Sequence, residues 1–289
     1  MRISIVTPNL NRCDFLAQTM DSVLAADHGD LDYIVVDGGS TDGSQALVKA
    51  RRNRLSATIS EPDEGLYDAL NKGFALSTGE IMGWINAGDT LMPDSLRVID
   101  EIFSTHPQIE WITSRVISFL DERGRLVEQH VHSGVSRESF LSGEHLPGFS
   151  KGRSLSMIQQ ESTFWRRSLW ERAGGGLDLS YSLAADFELW ARFFQQAELW
   201  SVSAPIGTFR RHANQLSRTH WDVYLNEARR ALEGLGARPR NALAQTLSVG
   251  LRRSLPRGLR PLAERLYLLK AAPFCEFDSE KQAWCLSRH

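Results

Sequence analysis

The first ninety residues alternate short apolar runs with stretches of helical spacing, and that alternation restricts the chain more than any other feature. Ile3 to Thr7 reads as a strand, and Phe15, Leu16, Met20, Val23 and Leu24 follow at helical spacing. Tyr33 to Val36 is the next strand, followed by a helix around Ala46 to Val48 and a short run Ala57 to Ser60. A helix with Leu66, Leu70 and Phe74 on one face then leads into the strand Ile81 to Ile85. Repeated strand-helix units predict a mostly parallel sheet covered on both faces, an α/β fold. In such sheets ligands bind in the crevice beyond the carboxyl ends of the strands. Three polar clusters directly follow predicted strands: Thr7-Pro8-Asn9, Asp37-Gly38-Gly39-Ser40 and Asn86-Ala87-Gly88-Asp89. All three are therefore expected to line one crevice.

Further along, Glu110 to Val131 reads as a strand pair turning at Asp121-Glu122-Arg123-Gly124, and His132 to Ile158 as irregular. A helical run over Ser168 to Ala173 stops at Gly174-Gly175-Gly176, and another helix begins near Ala185. The catalytic module is expected to close near residue 220, leaving 221–289 as a helical extension. Between Ala237 and Phe274 stand eight basic residues and one acidic, with leucines at helical spacing. A basic amphipathic helix pair of that kind either lies on an anionic membrane or caps the domain.

Composition bears on the choice of partner. With 33 basic and 35 acidic residues the net charge is −2, which argues against nucleic acid as a partner. Three cysteines without ligand spacing fit neither a disulfide framework nor a metal site, so a reducing, cytoplasmic setting is expected. The amino terminus does not read as a signal peptide, and no apolar run is long enough to span a bilayer.

Three strings carry chemistry. In IVVDGGSTDGS, Asp37 ends a strand beside glycines that let backbone amides approach a ligand, although Asp42 also suits a helix cap. No GxGxxG or GxxxxGK[ST] pattern marks a dinucleotide or phosphate loop in this half of the chain. In EPDEGLYDALNKGFALSTGEIMGWINAGD, Asp89 stands where a carboxylate would hold the divalent cation that neutralises a diphosphate. Asp68 and Lys72 fit either a ligand role or an ordinary i, i+4 ion pair, worth about 0.3 to 0.5 kcal/mol. In SYSLAADFELWARFF, Asp186 and Glu188 sit at a helix start, where an acidic residue also favours the helix dipole.

These strings resemble the family-2 glycosyltransferases of bacterial polysaccharide synthesis, over roughly residues 2 to 218. The resemblance implies a GT-A (Rossmann-like), mostly parallel sheet flanked by helices, here with a basic helical C-terminal tail. It implies that Thr7, Pro8, Asn9, Arg12, Asp37 and Gly38 contact base and ribose, with Asp68, Lys72 and Asn86 nearby. Asp89 would hold Mg or Mn, and Asp186 would deprotonate the acceptor. Arg210, Arg211 and His212, in the similar segment FRRHANQLS, would close over the diphosphate, and QQESTFWRR would line the acceptor side. The implied donor is a nucleotide diphosphate sugar, and the implied acceptor is a carbohydrate or lipid-linked oligosaccharide. Two departures stand out: Asn86 and Gly88 replace carboxylates common in the metal motif, and Ala185 replaces the common Glu before the base. The alternatives are a nucleotide-sugar-binding module without turnover and a nucleotidyltransferase.

Overall fold

The computed structural model describes residues 1–26, 29–146, 158–212, 220–237 and 272–288. The strands are β1 (Ile3–Asn9), β2 (Leu31–Asp37), β3 (Ala57–Ser60), β4 (Ile81–Trp84), β5 (Thr90–Leu91), β6 (Trp111–Ser114) and β7 (Val116–Leu120). They continue with β8 (Leu126–Val131), β9 (Thr163–Arg166), β10 (Leu199–Val202), β11 (Gly207–Arg210), β12 (Pro273–Asp278) and β13 (Ala283–Arg288). The helices are α1 (Cys13–Ala25), α2 (Ser44–Ala50), α3 (Leu66–Leu76), α4 (Ser95–Thr105), α5 (Arg137–Leu141), α6 (Arg167–Arg172), α7 (Ala185–Gln196) and α8 (Trp221–Gly234).

Nine strands form one sheet in the order β13-β12-β10-β6-β9-β4-β1-β2-β3. All but β9 and β13 run in one direction, as the strand-helix alternation predicts. Registers place Asn9 beside Asp37 and Asp37 beside Ser60, so the ends of β1, β2 and β3 are level. A second sheet, β5-β11-β7-β8, stands against this edge, and β7-β8 is the hairpin expected at Asp121 to Gly124.

Each face of the large sheet carries a core. On one, α1 and α4 bury Leu16, Met20, Val23, Ile99 and Phe103 against Ile3, Ile5, Tyr33 and Val35. On the other, α3 and α7 press Leu70, Phe74, Trp190 and Phe193 onto Val6, Val36, Trp84 and Trp165. Trp190 stacks on Trp84 with ring centroids 5.8 Å apart, and on Trp111 at 5.7 Å. That aromatic stack welds α7 to β4 and β6. Emptying one such position costs about 3 to 5 kcal/mol in a packed core, so the helix start that carries Asp186 has a rigid footing.

The last strands differ from the expected helical extension. α8 is helical, but β12 pairs in parallel with β10 and forms an antiparallel hairpin with β13. The reason lies in β12 itself: Phe274 and Cys275 are buried at the sheet end, where apolar strand residues cover an exposed edge. Of the segment proposed for membrane contact, 238–271 lie outside the described residues, and 272–274 are buried. Among the described residues no helix is long and apolar enough to cross a membrane.

Candidate active site

The ends of β1, β2 and β3 form a polar cradle built around Asp37. Its buried carboxylate accepts from Asn9 Nδ2 at 2.8 Å, from the Ser40 backbone N–H at 3.0 Å and from Ser60 Oγ at 3.3 Å. Asn9 keeps a buried Oδ1 without a partner among the described residues. Gly38 follows, its N–H donating to the Asn9 carbonyl at 2.8 Å. A Cβ on Gly38 would come within 2.4 Å of an Asp63 carboxylate oxygen, so glycine here lets the β3 loop close over the end of β2. Thr7 is turned inward: its hydroxyl is buried and bonds the Tyr33 hydroxyl at 3.0 Å. Pro8 offers its carbonyl to Ala87 N–H, which fastens β1 to the turn after β4.

Asp68 and Lys72 form the i, i+4 pair at 3.1 Å, and together they brace the acidic loop before α3. Asp68 accepts from Glu64 N–H at 3.0 Å, while Lys72 reaches the Pro62 carbonyl at 3.3 Å and Glu61 at 3.5 Å. The loop they hold is the one that brings Asp63 over Gly38.

The turn after β4 carries the second feature. Asp89 is buried, and one carboxylate oxygen accepts from the Arg210 backbone N–H at 2.9 Å. Burial pushes its pKa up to about 7, only partly opposed by the hydrogen bonds from Arg210 and Asn86 and by the Arg210 charge. The Arg210 side chain is enclosed in protein. It donates to Gly88 O at 2.7 Å, to Asp121 O and Glu122 O at 3.2 Å, and to Gln18 Oε1 at 2.7 Å. Its guanidinium lies over the Phe15 ring, 5.0 Å from the centroid. Arg210 is thus a strut that locks the Asp89 turn to α1 and to the β7-β8 hairpin. Arg211, by contrast, is exposed, lies 3.5 Å over the Phe119 ring and pairs with Glu128. The His212 ring lies tilted against Phe15, centroids 5.7 Å apart, and burial followed by the Arg12 charge lowers its pKa. Arg12, at the start of α1, is thus within electrostatic reach of His212, while residues 213–219 lie outside the described residues.

Asp186 opens α7, and its Oδ1 accepts from the Phe187 N–H at 2.8 Å. The carboxyl sits in a packed surround, and this burial pushes its pKa up to about 6, helped by the negative charge of Glu227. Glu188, the neighbouring carboxylate, is held at both oxygens by Arg192 at 2.7 and 2.8 Å. Among the described residues Asp186 is therefore the acid at this helix start that has no cation bound to it.

Glu161 escaped the sequence reading. It lies on a single 3-10 turn, Gln160–Ser162, wedged between the β4 end and β11. Gln160 Oε1 accepts from Asn86 Nδ2 at 2.9 Å, which ties that turn to the segment after β4. A Cβ on Gly207 would stand 2.2 Å from the Glu161 carbonyl oxygen, so β11 also runs tightly against it. Glu161 is buried with its Oε1 unpartnered among the described residues. Burial, then the charges of Asp89 and Asp186, raise its pKa well above the ordinary carboxylate range. Glu161 thus lies within electrostatic reach of both the buried Asp89 and the half-buried Asp186. The sequence signal for Glu161 was slight: one acid in the otherwise uncharged run Ile158 to Trp165.

The profile described as Glycosyl transferase family 2 matches residues 4–172. The chain belongs to this family. An uncharacterized glycosyltransferase of Nostoc sp. is 34% identical over 108 residues, 36% of this chain and 34% of that protein. Another, from Mycobacterium tuberculosis, is 28% identical over 192 residues, covering 64% of this chain and 66% of that protein. A PGL/p-HBAD biosynthesis glycosyltransferase of Mycobacterium bovis is 30% identical over 118 residues, with 39% and 46% covered. The aligned stretch therefore spans a third to two thirds of these relatives' own length. Among solved structures, S. aureus TarS 1-349 in complex with UDP-GlcNAc superposes with a TM-score of 0.63 at 16% identity, covering 90% of this chain and 78% of that one. A mannosyltransferase from Pyrobaculum calidifontis, in complex with GDP-Man and Mn2+, gives a TM-score of 0.52 at 17% identity, with 92% and 84% covered. This member of glycosyl transferase family 2 therefore has the GT-A fold, with the Asp37 cradle and the Asp89 turn at the carboxyl ends of its parallel strands.

Proposed function

We propose that this chain transfers a sugar from a nucleoside diphosphate donor to an acceptor hydroxyl, with inversion at the anomeric carbon and Asp186 as general base. One observation carries the reading: Asp186 opens α7 half-buried and, among the described residues, with no cation paired to it, unlike Glu188, and burial raises its pKa to about 6, near where a base must lie to work at neutral pH. In the reaction Asp186 takes the acceptor proton as the acceptor oxygen attacks the anomeric carbon. The bond from that carbon to the diphosphate breaks, and the diphosphate leaves with the electron pair. A single displacement inverts the configuration and needs no covalent intermediate.

The donor's nucleoside half is assigned to the Asp37 cradle, whose carboxylate accepts hydrogen bonds from hydroxyl or imide groups. Asn9 Oδ1 and Asp63, brought over Gly38, line the same place. UDP-GlcNAc and GDP-Man, bound by the structural neighbours, make uridine and guanosine diphosphates the first probes. Arg12, Arg211 and His212 stand nearest the leaving group, and the role of Arg210 is to position Asp89.

The oxygen donors near Asp89 fit a hard divalent cation such as Mg or Mn: Asn86 Oδ1 and Glu161 Oε1 are both buried and, among the described residues, unpartnered. Among the described residues no three His, Cys, Asp or Glu side chains come close enough to hold an ion alone. Asp89 would therefore hold it with the donor's own phosphate oxygens, and the cation would supply charge neutralisation on the leaving diphosphate. A carbohydrate or lipid-linked acceptor is supported by the relative named for PGL/p-HBAD biosynthesis.

Calorimetry with UDP, GDP and dTDP, each with and without Mn, tests the site, and proton NMR of the product's anomeric centre tests inversion. One nucleotide should bind in a Mn-dependent manner and lose affinity in Asp37→Ala. Absence of binding by all three would overturn the proposal, binding without turnover would leave a sugar-nucleotide-binding module, and pyrophosphate release would indicate a nucleotidyltransferase.

A further inference from the structure

The loop leading into Asp186 is gripped from outside the segment that the family profile covers. α8 begins at Trp221, well beyond residue 172 and past the expected end of the catalytic module. From it, one Glu227 oxygen accepts from the Ser182 N–H at 2.9 Å and its hydroxyl at 2.7 Å. The other accepts from the Leu183 and Ala184 N–H groups, both at 2.9 Å. One turn on, Arg230 donates to the Ser180 carbonyl at 2.8 Å and lies 4.0 Å over the Tyr181 ring. Every residue from Ser180 to Ala184 is thus tied to α8 or next to one that is, and Asp186 is two residues further.

We propose that Glu227 is a positioning residue for the transfer reaction: α8 completes the active site by fixing the 180–184 loop that leads into Asp186. This rests on Asp186 being the base. Four donors on one carboxylate are more than a loop needs to be ordered, and Glu227 is kept ionised by them, since they outweigh the burial that opposes its charge. A fixed negative charge so placed makes Asp186 a stronger base. The other groups around Asp186 do not supply this. Tyr67 from α3 is a buried phenol and Tyr224 from α8 a half-buried one; burial first, then the Asp186 charge, raises the pKa of each. Glu161 is a buried carboxyl whose pKa lies well above the usual range, and Glu188 is neutralised by Arg192. Glu227 is therefore the one described anion near Asp186 that is stabilised as an anion without a cationic side chain.

The test compares wild type, Glu227→Gln, Arg230→Ala and Asp186→Asn, all as full chains. The Asp186 carboxyl is followed by carbon NMR against pH, its signal identified by its loss in Asp186→Asn. Hydrogen exchange of the Leu183 and Ala184 amides and single-turnover rates with the best sugar nucleotide from the binding panel are measured alongside. In Glu227→Gln, Asp186 should titrate at lower pH, because a negative neighbour is gone, and both amides should exchange faster. Turnover should fall on the order of 10-fold to 10²-fold, as misplacement of a reacting group does, with donor KM unchanged. Arg230→Ala, which loosens the loop and leaves the charge, should slow turnover without moving the Asp186 titration. A folded Glu227→Gln protein with unmoved titration and amide exchange would overturn the role of Glu227, while Asp186→Asn remained inactive. Full transfer by Asp186→Asn would instead overturn the assignment of the base and this proposal with it.

Discussion

Replacing Asp186 by Asn separates what the raised carboxyl costs the fold from what it does for the reaction. The folded pKa is about 6 against an ordinary value of 3.8, a difference of roughly 2 units, and at 1.36 kcal/mol per unit that is about 3 kcal/mol. The folded state binds the proton more tightly than the unfolded chain does. Its advantage is therefore full below about pH 4 and is lost as pH rises through 6. At pH 7.5 the wild type carries an ionised, poorly solvated carboxylate, whereas Asn keeps the shape and the acceptor for Phe187 N–H without the charge. Part of Asp186 reaches solvent, so a net gain of about 2 kcal/mol is expected, raising Tm by on the order of 5 °C for a chain of this size. At pH 4 the two proteins should be equally stable. Turnover should move the opposite way, falling about 10²-fold to 10⁴-fold because the base is gone.

Urea melts at pH 4, 5, 6 and 7.5, with single-turnover rates on the same preparations, read both effects. A gain in stability that grows from pH 4 to 6 and then levels off is the expected signature. Asp186→Asn less stable than wild type at every pH, with turnover per folded molecule intact, would refute the reasoning and leave Asp186 as a helix cap. Glu188, held by Arg192, and Asp178, which accepts from Ser180 N–H at 2.8 Å, are both already engaged. Neither is then an obvious replacement.

Two further substitutions probe the donor side. Asp89→Asn should weaken Mn-dependent nucleotide binding by at least about 10-fold, since a coordinating charge is lost. Because the Asp89 pKa is raised to about 7, that variant should also lose less stability than wild type between pH 4 and 7 in the absence of ligand. Equal nucleotide affinity with and without Mn in both proteins would remove Asp89 from the metal site. Gly38→Ala should swing the Asp63 carboxylate off the β2 end at little cost in stability, since only the tip of that side chain is in the way, and should cut nucleotide affinity. Unchanged affinity by calorimetry would show that the β3 loop does not contribute to the cradle.

What the sequence made legible and what it hid divide along a physical line. The strand-helix units from Ile3 to Trp84 rest on local apolar periodicity, and β1 to β4 with α1 to α3 lie where that periodicity places them. The polar strand ends follow for the same reason, since a parallel sheet puts every residue that succeeds a strand at one edge. Glu161 and Glu227 could not be read this way. Each matters because of what it meets across the fold: Glu161 meets Asp89 some seventy positions earlier, and Glu227 meets Ser182 to Ala184 more than forty positions earlier. A lone Glu on an amphipathic helix such as α8 has the same sequence appearance whether it faces water or four backbone and hydroxyl donors.

The pair Arg210 and Arg211 shows the limit most sharply. In sequence they are two adjacent cations in a segment that resembles a diphosphate clamp, and nothing local distinguishes them. β11 does, because successive residues of a strand face opposite sides. A register that puts Thr208 and Arg210 on the inner side leaves Arg211 exposed over Phe119, and Arg210 is then fully enclosed against Asp89, Gly88 and Gln18. An enclosed guanidinium must have its donors satisfied, and here carbonyls of the Asp89 turn and of the β7-β8 hairpin do so. The side chain that resembled a phosphate ligand is thereby committed to holding the metal-motif carboxylate in place. On the proposed function, contact with the diphosphate falls to the outward-facing neighbour and to Arg12 and His212. Shifting β11 by a single residue would exchange the two roles. That choice depends on the pairing of β11 with β5 and β7, which only the assembled second sheet decides.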